Sequence, residues 1–339
     1  MKATELRDAV SRFIVFGEGE REALALAIHR EQVASQTHLA ALAGGLLPMR
    51  LRDIPAVPVS LFKDLDLGPQ PPLPGDVIFR TSGTTGQKRG VHRSRDTVLY
   101  DLGAVLHARA RLEGTGGLPD RVVSLCPTDS DSSLGHMLQL FGTVEACFIG
   151  GEVRHDTWGC ISCTASDGPI LVAATAFALD SLLSRPGQAS LGADSVVMVT
   201  GGFKGRTTRL DPPGLYRALA ARFGGPRVVG EYGMTELSSQ LWTEPVVAGE
   251  VPTAFIAPPW LAVYAVDPMS GTFVTGEGLL RFVDLANLGS VLAIETEDIG
   301  WVEPHPSGDR VTLLRRLEGA ELRGCSLTYK GEGARRPFP

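Results

Sequence analysis

The sequence predicts an α/β layered core, with helices on both faces of a sheet, and a smaller β-rich subdomain after it. The first observation is that short apolar runs alternate with helix-forming segments between residues 76 and 245. The second is a change at Val246, after which short apolar runs alternate with turn residues. The third is that polar motifs directly follow two predicted strands. Ligands of open α/β sheets bind outside the carboxyl ends of strands, so these motifs predict a functional site.

Four segments follow from this pattern: residues 1–75, helical and then extended; 76–245, the α/β core; 246–330, the β-rich subdomain; and 331–339, a tail. Alanine, leucine and glutamate at helical spacing predict two helices between Glu5 and Leu46. Prolines 55 and 58 predict an extended stretch within Leu51–Leu67. Later helices are predicted at Ser94–Arg111, Ala176–Ser184 and Gly214–Phe223. Strands are predicted at Arg121–Cys126, Glu145–Ile149, Pro169–Ala173, Ser195–Thr200 and Arg227–Glu231.

The charge balance and hydropathy pattern exclude several classes of protein. A net charge of -6 over 339 residues argues against sequence-independent nucleic-acid binding. Basic clusters at Arg89–Arg95 and Arg315–Arg323 are therefore expected to serve a small polyanion. The chain has no apolar run of the roughly 18 residues that a membrane span needs, and no signal-peptide core. We expect a cytoplasmic protein, and oligomerisation stays open.

The five cysteines show no disulfide framework. Cys160 and Cys163 form a single C-x-x-C, which without a second pair is a weak indication of metal or redox chemistry. We expect reduced thiols, with these two in a strand or turn.

A glycine- and threonine-rich segment, Phe79–Val91, is the clearest motif. Glycines and small hydroxyl residues let backbone N–H groups and side-chain donors converge on phosphate oxygens. Lys88, Arg89 and Arg93 add positive charge beside it. The segment matches neither the Walker motif nor the G-x-G-x-x-G dinucleotide fingerprint, so it predicts a phosphate loop of another kind.

Two further motifs contain acids. Glu231–Glu236, EYGMTE, follows the predicted strand at Arg227–Glu231 and predicts a loop that faces the same site as the phosphate loop. Glu295–Gly300, ETEDIG, is predicted to place an acid on a turn after another strand.

In this order, the motifs resemble those of the adenylate-forming superfamily of acyl-CoA synthetases, luciferases and peptide adenylation domains. TSGTTGQKRG resembles its phosphate loop, YGMTE its second signature, GEGLLRF its glycine-glutamate strand and TEDIG its ribose-binding segment. The resemblance covers residues 79 to 326. Three segments, VPVSLFKDLDL, GGFKGR and EGAELRGCSL, are similar to the acyl-protein synthetases of the bacterial luminescence fatty-acid reductase system and to phenylacetate-CoA ligases.

The resemblance implies ATP and Mg²⁺ as cofactors and a role for each matching residue. The β- and γ-phosphates are expected to bind Thr81, Ser82, Gly83, Thr84, Thr85 and Gly86. Other nucleotide contacts are expected at Lys88, Gly201, Gly202, Tyr232, Gly233, Met234, Asp298 and Arg316. Among these, Tyr232 is expected to stack on adenine and Asp298 to accept hydrogen bonds from the ribose. Thr235 is expected at the α-phosphate and Glu236 at the metal.

The sequence departs from the superfamily at two places. The usual Pro-Lys pair of the phosphate loop is Lys88-Arg89 here, which leaves the phosphate-contacting cation open. A full-length member continues past the hinge, matched near Glu318, into a mobile domain that supplies a lysine. We expect that domain to be absent, with Lys204 or Lys330 as the available substitutes.

The resemblance implies that a carboxylic acid is activated as an acyl-adenylate, with release of pyrophosphate, and transferred to a thiol. Cys325 lies close to Arg323, and a nearby cation lowers a thiol pKa, so it is a candidate nucleophile or else a small core residue. Coenzyme A, a carrier protein or an acyl reductase subunit are the alternative acceptors. His136 is either a gate beside the acyl site or a structural histidine. Amide synthesis, and a catalytically impaired nucleotide- or acyl-binding subunit, also stay open.

Overall fold

The computed structural model describes residues 3–81, 88–201 and 210–317. Within these ranges the α-helices are α1 (Ala3–Phe16), α2 (Arg21–Ser35), α3 (Thr37–Ala43), α4 (Val98–Leu112), α5 (Ser133–Phe141), α6 (Thr157–Ser166), α7 (Ala176–Leu183) and α8 (Pro212–Phe223). The first strands are β1 (Val57–Pro58), β2 (Val77–Arg80), β3 (Val91–Ser94), β4 (Arg121–Leu125), β5 (Thr143–Ala146), β6 (Phe148–Ile149), β7 (Glu152–Val153), β8 (Leu171–Thr175) and β9 (Val196–Thr200). The others are β10 (Arg227–Tyr232), β11 (Leu241–Thr243), β12 (Val246–Val247), β13 (Ala254–Ile256), β14 (Leu261–Val266), β15 (Glu277–Asp284), β16 (Ala293–Glu303) and β17 (Arg310–Arg316).

One large sheet runs through the described part of the chain, in the order β14-β15-β16-β17-β13-β11-β10-β9-β8-β4-β5. The pairs from β10 to β5 are parallel, and the pairs from β14 to β10 are antiparallel. The strand β1 joins β16, and β12 joins β10. The predicted α/β fold with a β-rich part is confirmed. The segment boundaries at 75, 245 and 330 stay predictions.

The parallel strands lie between two helical layers. Val197 and Val199 of β9 belong to the core that includes residues of α7 and α8. Val196 and Met198 of the same strand point to the opposite core, which includes residues of α4 and α5. Both faces are thus buried, which explains why these strands are continuous apolar runs in the sequence.

The N-terminal region contains three helices instead of the two predicted. The first helix ends at Phe16. The second ends at Ser35, before Gln36, where the backbone is extended at φ −127° and ψ 112°. The residues that follow α3 form 3-10 turns at Leu51–Asp53 and Val59–Lys63 around the short β1. Helical spacing alone did not reveal a break within one apolar pattern.

Cys160 and Cys163 lie on α6, so the predicted strand or turn is wrong. Cys160 instead contacts Cys147, which follows β5, with 3.2 Å between the two sulfur atoms. No disulfide joins the four cysteines in the described ranges. No helix among the described residues has the length and apolar character needed to cross a membrane.

Candidate functional site

The carboxyl ends of β9 and β10 lie side by side, with Thr200 paired to Glu231 in the parallel ladder. The motif Glu231–Glu236 leaves the sheet here, and Gly201 follows β9. Gly201 has φ 68°, a left-handed conformation that favours glycine. We call the edge formed by Thr200, Gly201 and residues 231–236 the strand-end site.

The predicted phosphate loop connects two paired strands, β2 and β3. Thr81 accepts a hydrogen bond from the Gly90 backbone N–H on its Oγ1 at 2.8 Å, and its own N–H donates to the Gly90 carbonyl at 3.0 Å. The hairpin therefore closes at Thr81 and Gly90, and Lys88 lies in the segment between these two residues. The predicted phosphate ligands Ser82, Gly83, Thr84, Thr85 and Gly86 lie outside the described residues.

The cations beside this loop have protein partners. Arg89 donates to the Thr81 carbonyl at 2.6 Å and forms an ion pair with Asp131 at 3.0 Å. Lys88, whose side chain is 67% exposed, pairs with Asp64 at 3.2 Å. The predicted positive patch is therefore largely neutralised by neighbouring acids.

Arg93 is buried, with a side chain only 5% exposed. It pairs with Asp66 at 2.8 Å and with Asp76, which also binds Arg95 at 2.7 Å. Burial alone would raise the pKa of Asp76, but hydrogen bonds from the Leu73 N–H and the two arginines outweigh it and lower that pKa. Arg93 thus anchors the hairpin to the preceding segment, and its charge is not presented at the surface.

Three predicted nucleotide-contacting residues meet, although they come from three different strands. The Tyr232 hydroxyl of β10 donates to Asp298 Oδ2 of β16 at 2.9 Å. Arg316 of β17 lies with its Nε 3.2 Å from Asp298 Oδ1, and its Nη2 donates to Glu297 at 2.7 Å. Asp298 lies inside β16, so the predicted turn is wrong. Directly after Asp298, the pairing of β16 with β17 has an irregular register between Ile299 and Gly300.

The Tyr232 ring lies among other aromatic side chains. It is 1% exposed, stacks on Phe282 with 5.9 Å between ring centroids, and lies 6.1 Å from the Phe255 ring. Packing against these rings and the hydrogen bond to Asp298 thus fix the Tyr232 ring at the end of β10. Its stacking on adenine stays a prediction.

Buried hydrogen bonds hold the loop that follows the motif. The Glu236 carbonyl accepts from Asn287 Nδ2 at 2.9 Å. The Ser238 N–H donates to Asp284 at 3.1 Å, and the Ser239 hydroxyl donates to the same carboxylate at 2.8 Å. Burial raises the pKa of Asp284 to about 6, although these hydrogen bonds act in the opposite direction. The loop is therefore fixed at both its backbone and its side chains.

Helix α2 and the residue that follows it also bind the segment that holds this loop. Gln32 donates to the Asn287 carbonyl at 2.9 Å and accepts from the Leu292 N–H at 3.0 Å. Gln36 donates to the Ser290 carbonyl at 3.0 Å. Two buried glutamines thus connect the N-terminal helices to the segment that holds the motif loop.

His92 was not predicted from the sequence, yet it contacts the motif. Its Nδ1 lies 2.5 Å from the Thr235 carbonyl oxygen. Burial lowers the pKa of His92 to about 4, so the ring is neutral at pH 7 and Nδ1 donates this hydrogen bond. Its position in a buried strand directly after the phosphate loop was the available signal. His92 fixes the backbone at Thr235, the residue expected at the α-phosphate.

Glu231 is the first residue of the EYGMTE motif, and the sequence predicts no role for it. It is 3% exposed, and its carboxylate accepts a hydrogen bond from the Thr200 hydroxyl. Burial raises the pKa of Glu231 to about 7. A Cβ at Gly233 would lie 2.5 Å from Glu231 Oε1, so a larger residue there would displace the Glu231 carboxyl group. A carboxyl group that titrates near neutral pH thus lies at the strand-end site.

His136 lies on α5, near the hairpin. Its Nε2 is 2.7 Å from Asp101 Oδ1, and its ring centroid lies 5.4 Å from that of Phe79 and 5.5 Å from that of Tyr100. These contacts come from α4 and β2. Neither the gate nor the structural interpretation is tested by them.

Glu236 supplies the carboxylate expected at Mg²⁺. The Glu236 residue is 1% exposed, and it lies in the loop that Asn287 and Asp284 hold by hydrogen bonds. Mg²⁺ commonly binds one or two carboxylates together with substrate phosphates, so a single carboxylate fits that cation.

Among the described residues, three side chains of types that can ligate a metal ion lie close together away from this site: Glu145, Cys147 and Cys160. Burial raises the pKa of Cys147 to about 12, and Glu145 pairs with Arg154 at 2.9 Å. A protonated thiol and a neutralised carboxylate are poor cation ligands. Gly202, Lys204, Cys325 and Lys330 lie outside the described residues.

No protein-family model and no curated protein sequence matches this chain. Solved structures do match it. An open conformation of 2-hydroxyisobutyryl-CoA ligase, in complex with 2-HIB-AMP and CoA, aligns over 88% of this chain and 70% of its own at 13% identity, with a TM-score of 0.61. The same ligase in its postadenylation state aligns over 84% of this chain and 57% of its own at 15% identity, with a TM-score of 0.51.

ATP-bound MatB from Rhodopseudomonas palustris aligns over 70% of this chain at 17% identity, with a TM-score of 0.46. The chain spans 47% of the length of that structure. At these identities the likeness shows the fold. The chain has the fold of the adenylate-forming ligase structures that it matches.

Proposed function

We propose that this chain binds ATP and a carboxylic acid at the strand-end site and joins them as an acyl-adenylate, with release of pyrophosphate. The observation that carries the proposal is the contact between Tyr232, Asp298 and Arg316. The resemblance assigns all three to the nucleotide, and Tyr232 lies 66 residues before Asp298 in the sequence.

The chemistry needs positioning and charge neutralisation. A carboxylate is a poor electrophile, because its leaving group would be an oxide. In the proposed step its oxygen attacks the α-phosphorus of ATP, and the bond from that phosphorus to the pyrophosphate oxygen breaks. Such an in-line displacement depends on the alignment of the reactants and on donors aimed at the phosphates.

Each described residue then has a defined role. Asp298 accepts hydrogen bonds from the ribose hydroxyls, since a carboxylate has acceptor capacity beyond its bonds to Tyr232 and Arg316. The Thr235 hydroxyl donates a hydrogen bond to the α-phosphate. The hydrogen bond from His92 holds the Thr235 backbone in place. Glu236 is the proposed ligand of Mg²⁺, which supplies neutralisation of the phosphate charge.

Transfer of the acyl group to a thiol is the second part of the proposal. Coenzyme A, a carrier protein and Cys325 are the candidate acceptors, and the matched 2-hydroxyisobutyryl-CoA ligase structure has CoA bound. Acyl-protein synthetase activity would require Cys325, which a Cys325→Ala variant tests. Full transfer to a soluble thiol by that variant would contradict an acyl-enzyme.

Exchange of pyrophosphate into ATP, measured with a panel of carboxylic acids, tests the first step. We expect exchange that depends on the acid, on Mg²⁺ and on Glu236. A Glu236→Gln variant should lower the rate about 100-fold or more, as removal of one charge-stabilising group does in other active sites. The matched control is Glu244→Gln, at an exposed carboxylate paired with Arg111. ATP binding without exchange for any acid would contradict adenylation and favour a nucleotide-binding subunit.

A further inference from the structure

Two cysteine side chains lie in contact at the β5 end of the large sheet. Cys147 directly follows β5, the last strand in the sheet order, and Cys160 lies on α6. The Cys147 thiol donates to the Cys160 sulfur, with 3.2 Å between the two sulfur atoms. The sulfur atoms of a disulfide bond are about 2.05 Å apart, so an approach of about 1.2 Å would bring these two within bonding distance.

Backbone hydrogen bonds hold both cysteines in this position. The Cys147 N–H donates to the Ser124 carbonyl of β4 at 2.8 Å, and the Cys147 carbonyl accepts from the Arg154 N–H at 2.9 Å. The Cys160 N–H donates to the Asp156 carbonyl at 2.9 Å, at the start of α6. The contact between the sulfur atoms therefore joins two hydrogen-bonded elements of the fold.

The two thiols differ in exposure. Cys147 is fully buried, whereas Cys160 is partly exposed. Burial, and after it the hydrogen bond with Cys160, raises the pKa of Cys147 to about 12, so the Cys147 thiol is protonated at neutral pH. Cys160 is therefore the thiol of the pair that a dissolved oxidant reaches first.

We propose that Cys147 and Cys160 form a reversible disulfide bond when the chain meets a small-molecule disulfide such as oxidised glutathione. This modification site lies outside the strand-end site and does not depend on the proposed function. Cys163, three residues further along α6, is exposed but does not belong to the group in which Glu145, Cys147 and Cys160 lie within 4.8 Å of one another. Of the C-x-x-C pattern, only the first cysteine thus belongs to the pair.

The reaction consists of two thiol–disulfide exchanges. The Cys160 thiolate attacks one sulfur atom of oxidised glutathione, which forms a mixed disulfide and releases one glutathione thiolate. The Cys147 sulfur then attacks the Cys160 Sγ, and the second glutathione thiolate leaves. The two cysteine protons pass through solvent to the two released thiolates. The cysteine pair is thus oxidised by two electrons, and glutathione disulfide is reduced by two.

The bond would cross-link residues that are 13 positions apart and would connect the end of β5 to α6. A cross-link lowers the conformational entropy of the unfolded chain and so stabilises the folded state. For a loop of this size in a chain of 339 residues, we expect the midpoint of thermal unfolding to rise by about 4 °C.

The test treats the full chain with increasing ratios of oxidised to reduced glutathione at about pH 8, where free thiols are partly ionised. The remaining thiols are then blocked, and the chain is digested with trypsin without reduction. Trypsin cleaves after Arg154 and so separates Cys147 from Cys160, which lets mass spectrometry identify their linked peptides. We expect a cross-link between Cys147 and Cys160 that dithiothreitol reverses, together with the higher thermal midpoint.

A Cys160→Ser variant should lose both the cross-link and the rise in thermal midpoint. The matched control is Cys163→Ser, which replaces the exposed thiol of the same helix and should keep both. The linked peptides are identified in the unaltered chain, so the test does not depend on the folding of either variant. A bond between Cys160 and Cys163, or mixed disulfides with glutathione alone, would overturn the proposal.

Discussion

The hairpin around the phosphate loop and the strand-end site use charge in opposite ways. In the hairpin, Arg93 is buried with the carboxylates of Asp66 and Asp76 around it. At the strand-end site and in the loop that follows it, Glu231 and Asp284 are buried with neutral hydrogen-bond donors. The pKa of Asp76 is lowered, whereas those of Glu231 and Asp284 are raised to about 7 and about 6.

The comparison shows that the partners of a charged side chain near a loop motif decide whether that charge indicates a functional site. A cation beside a glycine-rich loop does not for that reason bind an anion, because nearby carboxylates can already form ion pairs with it. A buried acid without a cation, in contrast, carries a desolvation cost, and such groups cluster at functional sites. The strand-end site therefore has the stronger electrostatic indication of function.

Removal of Asp76 should have the largest effect. The Asp76 side chain is 2% exposed and binds Arg93 and Arg95, so Asp76→Ala leaves a buried guanidinium with less compensation. We expect a loss of about 3–5 kcal/mol in the free energy of unfolding, measured by urea denaturation. Asp64→Ala, at an exposed partner of Lys88, should cost less than about 1 kcal/mol. Equal effects would refute the structural role of the buried pair.

The pH dependence of stability tests the opposite arrangement at Glu231. Its pKa is raised to about 7 in the folded chain from an ordinary value of 4.5, so between these pH values the folded state retains a proton that the unfolded state has lost. The Glu231 contribution to stability should therefore fall by an amount on the order of 3 kcal/mol as pH rises from about 4.5 to 7.

Glu231→Gln cannot ionise and should remove that slope, while Glu244→Gln should keep it. The measurement is the free energy of unfolding at several pH values. An unchanged slope in Glu231→Gln would mean that the carboxyl group is ionised at neutral pH in the folded chain.

Asp298→Asn is expected to weaken ATP binding by about ten- to a hundredfold, because hydrogen bonds to a charged acceptor contribute about 1.5–3 kcal/mol. Isothermal titration calorimetry measures this effect. Glu277→Gln is the control, since Glu277 pairs with Arg315 at the exposed surface. A normal affinity for ATP in a folded Asp298→Asn variant would remove Asp298 from the nucleotide site.

Lys88→Ala should have the smallest effect on stability, below about 1 kcal/mol, because its ion pair with Asp64 is exposed. Its effect on ATP affinity separates the two roles of the loop cations. A several-fold loss that high salt reduces would identify Lys88 as the phosphate-contacting cation. An unchanged affinity would assign Lys88 to the surface pair alone.

The sequence supported the α/β fold because parallel strands buried on both faces are continuous apolar runs, as in Val196–Thr200. It also identified two motifs, YGMTE and TEDIG, that the structure joins through Tyr232 and Asp298. It did not reveal the break at Gln36 or the position of Asp298 within β16, because both depend on contacts between distant segments. His92 was missed for the same reason, since its role lies in one contact with Thr235.

The sequence by itself determined which chemical groups are available: the glycine- and threonine-rich segment Phe79–Val91, the YGMTE motif and the acid at Asp298. Only the tertiary structure decided which charges are neutralised and which are desolvated. Those outcomes depend on burial and on partners far apart in the chain, such as Arg93 with Asp66 or Glu231 with Thr200. The free energy of a charge depends on its surroundings, and local sequence does not specify them.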